Sequence, residues 1–215
     1  MLLQFRYINH PLATQSPQFN PLTSSFTLTT TNPTDLYRTP PSRDIFNGPI
    51  LATTVPLSKF KRARVTVSAT WRTLYDQGGL IFLLPTTANR HAPFTPASAS
   101  APYPSWIKSG IEFYESSTFH SVVAANPFSD WSLAPCGERE ITVEMERKGS
   151  NLWVYRVGPG GERVAVRELT WVFEDEEGKD VCVGCYTCKP KPGAEEGKLE
   201  SLEVKFSGFE IEVSE

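Results

Sequence analysis

The 215-residue chain reads as an all-β protein, a sandwich of two antiparallel sheets, and three observations predict it. Short segments with period-two alternation recur along the chain, β-branched and aromatic residues fill them, and Gly, Pro, Asn, Asp and Ser separate them, with no long amphipathic helical pattern between. In "RARVTVSATW" the alternation gathers Val65, Val67, Ala69 and Trp71 on one face. In "REITVEMERK" it gathers Ile141, Val143 and Met145 against Glu140, Glu144 and Glu146. "NLWVYRV", "VAVRELTWVF", "VCVGCYTC" and "LEVKFSGFEIEV" add further strands, with hairpin-type turns expected at Gly158 to Glu162 and at Asp175 to Asp180.

The length suits a single domain over residues 1–215, as in many all-β sandwiches. Two segments are expected as surface loops: residues 85–105, rich in Pro, Ala and Ser, and the shorter stretch Pro190 to Lys198. Strand material of similar composition continues on both sides of each, so neither reads as a domain linker.

Composition excludes several classes of function. A hydrophobic fraction of 40%, a charged fraction of 21% and a formal net charge of −3 describe an ordinary globular chain without the basic footprint of a nucleic-acid partner. The basic stretch "KFKRAR", Lys59 to Arg64, reads as a solvated strand edge that discourages pairing. "MLLQFRYINHPLATQ" lacks the pattern of a secretory leader, and no segment approaches the roughly 20 apolar residues that span a bilayer, so a cytoplasmic location without membrane attachment is expected.

Three of the four cysteines sit in "CVGCYTC". The spacing resembles a soft-metal site, but on a strand Cys182 and Cys188 face one way and Cys185 the other, so three thiolates cannot converge on one ion. These three are expected to be reduced, buried small hydrophobes, with no metal and no cofactor; a disulfide from Cys136 is the alternative, one that fits a cytosolic chain poorly.

Three stretches carry polar and aromatic residues that strand propensity does not select: "YDQGGLIFLLP", "WIKSGIEFYE" and "SVVAANPFSDWS". In the first, Asp76 and Gln77 precede two glycines that permit close backbone approach. In the second, alternation places Trp106, Lys108, Gly110, Glu112 and Tyr114 on one face and Ile107, Ser109, Ile111 and Phe113 on the core face. In the third, Asn126-Pro127 starts a turn, and Ser129, Asp130 and Trp131 are expected in a connection rather than a strand. His120, beside that motif, reads as a structural histidine, and no Gly-x-Ser-x-Gly elbow accompanies it.

Taken in order, "YDQGGL", "WIKSGIE", "SVVAANPFSDWS", "VEMERKGSNLWVYRV" and "VGCYTCKP" resemble the motif series of the DUF1349 family, over roughly Trp71 to Phe209. The family includes a yeast protein of enolase regulation. The resemblance implies a concanavalin A-like lectin/glucanase fold, a jelly-roll sandwich. Two departures stand out: the long 85–105 segment, and Lys189, where many members have a small residue before Pro190.

The concave face of lectins and glucanases of this fold holds sugars, which need an aromatic ring against the pyranose face and planar polar groups for the hydroxyls. Asp76, Gln77, Trp106, Lys108, Glu112, Asp130 and Trp131 supply those groups and form the expected ligand-binding set. An ion pair between Lys108 and Glu112 beside a packed Trp106 explains the same residues structurally. The leading expectation is a non-catalytic carbohydrate or small-metabolite binding module, its partner a glycan or sugar metabolite. The alternative implied by the family is a regulatory protein-interaction module of carbohydrate metabolism with a metabolic enzyme as partner. Glycoside hydrolysis is disfavoured: it needs two carboxylates about 5–5.5 or 6.5–9.5 Å apart. Glu112 with Asp76 or Asp130 is the only candidate pair, and the Glu-x-Asp-x-x-Glu run of glucanases is absent. No catalytic residue is assigned.

Overall fold

A computed structural model describes residues 3–84, 104–174, 176–193 and 199–214. Fifteen strands in chain order form the fold: β1 (Phe5–Ile8), β2 (Phe26–Thr31), β3 (Leu36–Thr39), β4 (Arg43–Phe46), β5 (Ile50–Pro56), β6 (Phe60–Ala69), β7 (Gln77–Leu83), β8 (Trp106–Tyr114), β9 (Ser117–Ala125), β10 (Ser129–Pro135), β11 (Glu140–Lys148), β12 (Asn151–Val157), β13 (Arg163–Leu169), β14 (Asp180–Cys188) and β15 (Ser201–Val213). A 3-10 turn at Leu57–Lys59 joins β5 to β6.

Two large antiparallel sheets face one another. The first has the order β1-β5-β14-β7-β8-β9-β10, the second β13-β12-β11-β6-β15-β2, and β3 and β4 form a separate hairpin. Because successive side chains alternate, each strand sends one set inward. Ile107 and Ile111 of β8, Leu80 and Phe82 of β7, Val181, Val183 and Cys185 of β14 meet Val65 and Val67 of β6, Val143 and Met145 of β11 and Phe206 of β15 in one apolar core. Trp71 joins it and donates its indole N–H to the Arg139 carbonyl at 2.8 Å.

The outer face of the first sheet is also covered. Leu36 and Phe46 of the β3–β4 hairpin pack on Ile50, Ile81, Leu83, Trp106, Val123, Cys182, Tyr186 and Cys188, forming a second, smaller cluster. Cys182 and Cys188 therefore face away from Cys185, as alternation requires, and all four cysteines are free thiols. Among the described residues, no group of three His, Cys, Asp or Glu side chains is placed to hold a metal ion, and no helix is long and apolar enough to cross a membrane.

Three local expectations are corrected, and a fourth falls outside the described residues. Ser129, Asp130 and Trp131 open strand β10, paired with β9 through a tight turn at Asn126-Pro127-Phe128, because Ala125 and Ser129 meet in register. Lys59 to Arg64 does not form a sheet edge. Strand β6 runs between β11 and β15, and Arg62 and Arg64 lie on its outer face, where Glu144 sits 3.3 Å from Arg62 and 2.6 Å from Arg64. The stretch that includes Asp175 to Asp180 is no hairpin, since it leads from β13 at the edge of one sheet to β14 inside the other. Residues 85–103 of the expected long loop and 194–198 of the shorter one lie outside the described residues.

Candidate functional site

The register of the first sheet sets out the cleft floor in rows. Gln77 lies opposite Glu112, Gly79 opposite Gly110 and then Ser121, and Ile81 opposite Lys108, Val123 and Trp131. The middle row carries almost no side-chain volume. A Cβ on Gly110 would stand 1.9 Å from the Gly78 carbonyl oxygen, and one on Gly79 would stand 2.0 Å from that of Ser109, so both positions require glycine. The bare strip lets the long side chains of the flanking rows lie along the sheet.

Lys108 is 2% exposed. Its ammonium donates to the Gln77 side-chain oxygen at 2.6 Å and to the Leu36 carbonyl at 2.8 Å, and lies 3.8 Å from an Asp35 carboxylate oxygen. The rings of Trp106 and Tyr186 flank it at 5.4 and 5.7 Å. A buried ammonium is tolerated only when its protons are shared in this way. It also ties the β3–β4 hairpin to the sheet, together with Arg38, whose guanidinium bonds the Pro127 and Pro104 carbonyls at 3.1 Å and the Asp44 carboxylate at 2.9 Å.

Glu112 is 5% exposed. One carboxylate oxygen accepts from the Ser121 hydroxyl at 2.6 Å and from the Trp131 indole N–H at 3.0 Å. Burial pushes its pKa above the ordinary carboxylate range, and Lys108 and the two donors pull in the opposite direction. Trp131, 37% exposed, also packs edge-on against Tyr75 and Tyr114, at 6.3 and 5.5 Å between ring centroids. Tyr75 adopts a left-handed backbone (φ 68°), a strained choice for a bulky residue, and its peptide N–H bonds the Phe113 carbonyl at 2.7 Å.

Between the sheet and the hairpin lies a cavity of about 500 Å³. Gln77, Lys108, Glu112 and Trp131 form its sheet side, Asp35, Tyr37, Arg43 and Asn47 its hairpin side, and Tyr75 and Lys191 also line it. The arrangement offers an aromatic wall, a carboxylate fixed through one oxygen, and a buried ammonium.

Three of the seven expected site residues lie elsewhere. Asp76 closes a turn by accepting the Thr73 N–H at 2.9 Å, and pairs at 3.1 Å with Lys189, which also donates to the Thr73 hydroxyl at 2.8 Å. This ion pair lines a separate groove with Arg72, Arg139 and Glu200, and it gives Lys189 a structural partner. Asp130 points to the opposite side of β10 from Trp131 and pairs with Arg167 of β13, clipping the edges of the two sheets together. Trp106 is fully buried beneath the hairpin and cannot act as a stacking platform, whereas Trp131 lines the cavity. Glu112 therefore has neither expected carboxylate partner. Asp35, Tyr37, Arg43, Asn47 and Tyr75 were not identified from the sequence. For the hairpin residues, the turn signal Pro40-Pro41 flanked by "LYRT" and "RDIF" was available.

His120 stands on the core face of β9, its Nε2 2.8 Å from the Ser109 hydroxyl on β8, with its pKa lowered to about 4 by burial. It is a neutral register pin, remote from the cleft.

A jelly-roll sandwich with a partly covered concave sheet defines the class: the fold is concanavalin A-like. Over residues 12–214 the chain matches DUF1349, a family of proteins of unknown function, and it belongs to that family. An uncharacterized protein of Emericella nidulans is 36% identical over 202 residues, covering 93% of this chain and 92% of that one. A functionally unknown protein of Saccharomyces cerevisiae superposes with a TM-score of 0.71 at 23% identity, over 98% of this chain and 97% of its own. More distant likenesses of fold include LamAcat from Zobellia galactanivorans (TM-score 0.51, 12% identity, 99% and 91% coverage). Another is the alginate lyase A1-II', of polysaccharide lyase family 7 (TM-score 0.53, 10% identity, 88% and 80% coverage).

Proposed function

We propose that the protein is a non-catalytic binding module for a carbohydrate or small sugar metabolite, held in the cleft between the concave sheet and the β3–β4 hairpin. The observation that carries this reading is the Glu112 carboxylate, fixed by Ser121 and by the indole of Trp131, beside Lys108 in a cavity of about 500 Å³. That volume suits a mono- or disaccharide. The ring of Trp131 offers its apolar surface to a pyranose, and Glu112 and Gln77 accept from or donate to hydroxyls. Binding without hydrolysis is supported by the placement of Asp76 and Asp130, neither of which approaches Glu112. Asp35, the other carboxylate of the cleft, accepts the Leu36 N–H at 2.8 Å and lies 3.8 Å from Lys108. Four unpaired thiols accord with a reducing, cytoplasmic setting.

Calorimetric titration of the purified full-length protein with a panel of mono- and disaccharides tests the reading. At least one sugar should bind, and Trp131→Ala and Glu112→Gln should each weaken it by roughly tenfold, the consequence of losing one stacking surface or one hydrogen bond to a charged group. Absence of binding across the panel, or binding indifferent to both substitutions, would remove the cleft from consideration.

A further inference from the structure

Among the described residues, the charges around the cavity divide into an inner set that is internally compensated and an outer set that is not. Inside, Lys108 stands beside Asp35 and near Glu112 and spends its donors on Leu36 and Gln77. At the cavity boundary, Arg43 from the β3–β4 hairpin and Lys191 from the segment after β14 are both exposed, and neither forms an ion pair or side-chain hydrogen bond among the described residues. Elsewhere on the surface Lys59, Arg72, Arg139 and Lys205 are likewise exposed without an ion pair among the described residues; what sets Arg43 and Lys191 apart is that both line this cavity. On the outer face of the second sheet, Arg62, Arg64 and Arg163 converge on Glu144, and Arg62 also meets Glu210 and Glu212; elsewhere Arg147 pairs with Glu176 and Arg167 with Asp130. Two cations without an ion pair among the described residues, on a chain of net charge −3, line the same cavity from two different elements. The hydroxyls of Tyr37 and Tyr75, which also line it, form no hydrogen bond among the described residues.

Resting on the sugar-binding reading above, we infer that the ligand is an acid-bearing sugar, a sugar phosphate or uronate, with its hydroxylated ring against Trp131 and Glu112 and its anionic group between Arg43 and Lys191. A neutral sugar leaves those two cations without a partner. An anionic group supplies charge-assisted hydrogen bonds to the guanidinium and the ammonium. The inner carboxylates are engaged within the protein: Asp35 lies 3.8 Å from the Lys108 ammonium, and one Glu112 oxygen is held by Ser121 and Trp131.

The test compares glucose, glucuronate, a glucose monophosphate and inorganic phosphate as probes, titrated into the full-length protein at low ionic strength and again at about 0.15 M salt. At least one acid-bearing sugar should bind about tenfold more tightly than glucose at low salt, with the margin shrinking at the higher salt. Inorganic phosphate should bind far more weakly than the sugar phosphate. The double variant Arg43→Ser, Lys191→Ser, both positions being exposed, should keep the wild-type melting temperature and lose the preference. Should the acid-bearing sugars match glucose, the double variant retain the preference, or inorganic phosphate match the sugar phosphate, the inference is overturned while a sugar cleft still stands. Should no sugar of either kind bind, the cleft reading falls and the inference falls with it.

Discussion

Glu112 and His120 sit on opposite faces of adjacent strands and titrate in opposite senses. His120 is held neutral by burial, its pKa lowered from 6.5 to about 4. A depressed histidine pKa contributes stability that is complete above pH 6.5 and is lost as pH falls towards 4, here about 3 kcal/mol for a group this deeply buried. The variant His120→Asn should lack that loss, so wild type and variant melting temperatures converge or cross as the buffer is taken from pH 7 to pH 4. Glu112 behaves the other way. Its raised pKa means that the folded protein holds a proton the unfolded chain releases, so its contribution is present below the ordinary carboxylate range and is lost as pH rises through the raised value. Melting of Glu112→Gln should therefore gain on the wild type between pH 4 and pH 7, and a constant offset would show that Glu112 ionises normally. At this scale alternation was a sound guide wherever a strand was identified. Lys108 and Glu112 share a face, Ile107 and Ile111 the other. Trp131 and Asp130 were grouped because "FSDWS" was read as a connection; as part of a strand, neighbours point apart, and only the tryptophan enters the cleft.

The β3–β4 hairpin turns a concave sheet into a cleft, and Lys108 is one of its fastenings. Lys108→Met leaves the Leu36 carbonyl and the Asp35 and Glu112 carboxylates without their cation, at a cost of about 3–5 kcal/mol. For a chain of this length that is a fall of roughly 10 °C in melting temperature, measurable by calorimetry. Gly110→Ala tests the floor of the same cleft: its Cβ meets backbone, which cannot yield as a flexible side chain does, and a loss of about 1–3 kcal/mol is expected. The strands themselves were legible because period two is local. The hairpin was not, since two four-residue strands around Pro40-Pro41 carry too little alternation to register, and their covering role depends on contacts with Trp106 and Tyr186, far away in sequence. Asp76 illustrates the same limit. Its neighbour Gln77 is the first residue of β7 and faces the cleft, whereas Asp76 ends the preceding turn and reaches Lys189, a partner that local pattern does not reveal.

Across the whole molecule the sandwich isolates its thiols. Cys182, Cys185 and Cys188 are fully buried, and burial raises their pKa values, that of Cys182 to about 11, while Cys136 is only partly buried. A maleimide at neutral pH should label Cys136 alone in the native protein and all four cysteines after denaturation, as counted by mass spectrometry; rapid labelling of all four without denaturant would contradict the packing. The two-sheet architecture was readable because its strands bury one face each, and the motif series added the curvature and the concave face. What the motifs could not supply was the cover on that face, which buries Trp106 and leaves Trp131 lining the cleft. The most direct test of that central claim is a nitrogen-15 spectrum of the indole N–H signals during titration with glucose and its acid-bearing derivatives. The Trp131 indole, bonded to Glu112 in the cleft, should shift on addition of a bound sugar while the buried Trp106 indole stays in place. A Trp131 signal unmoved by every sugar would contradict the account.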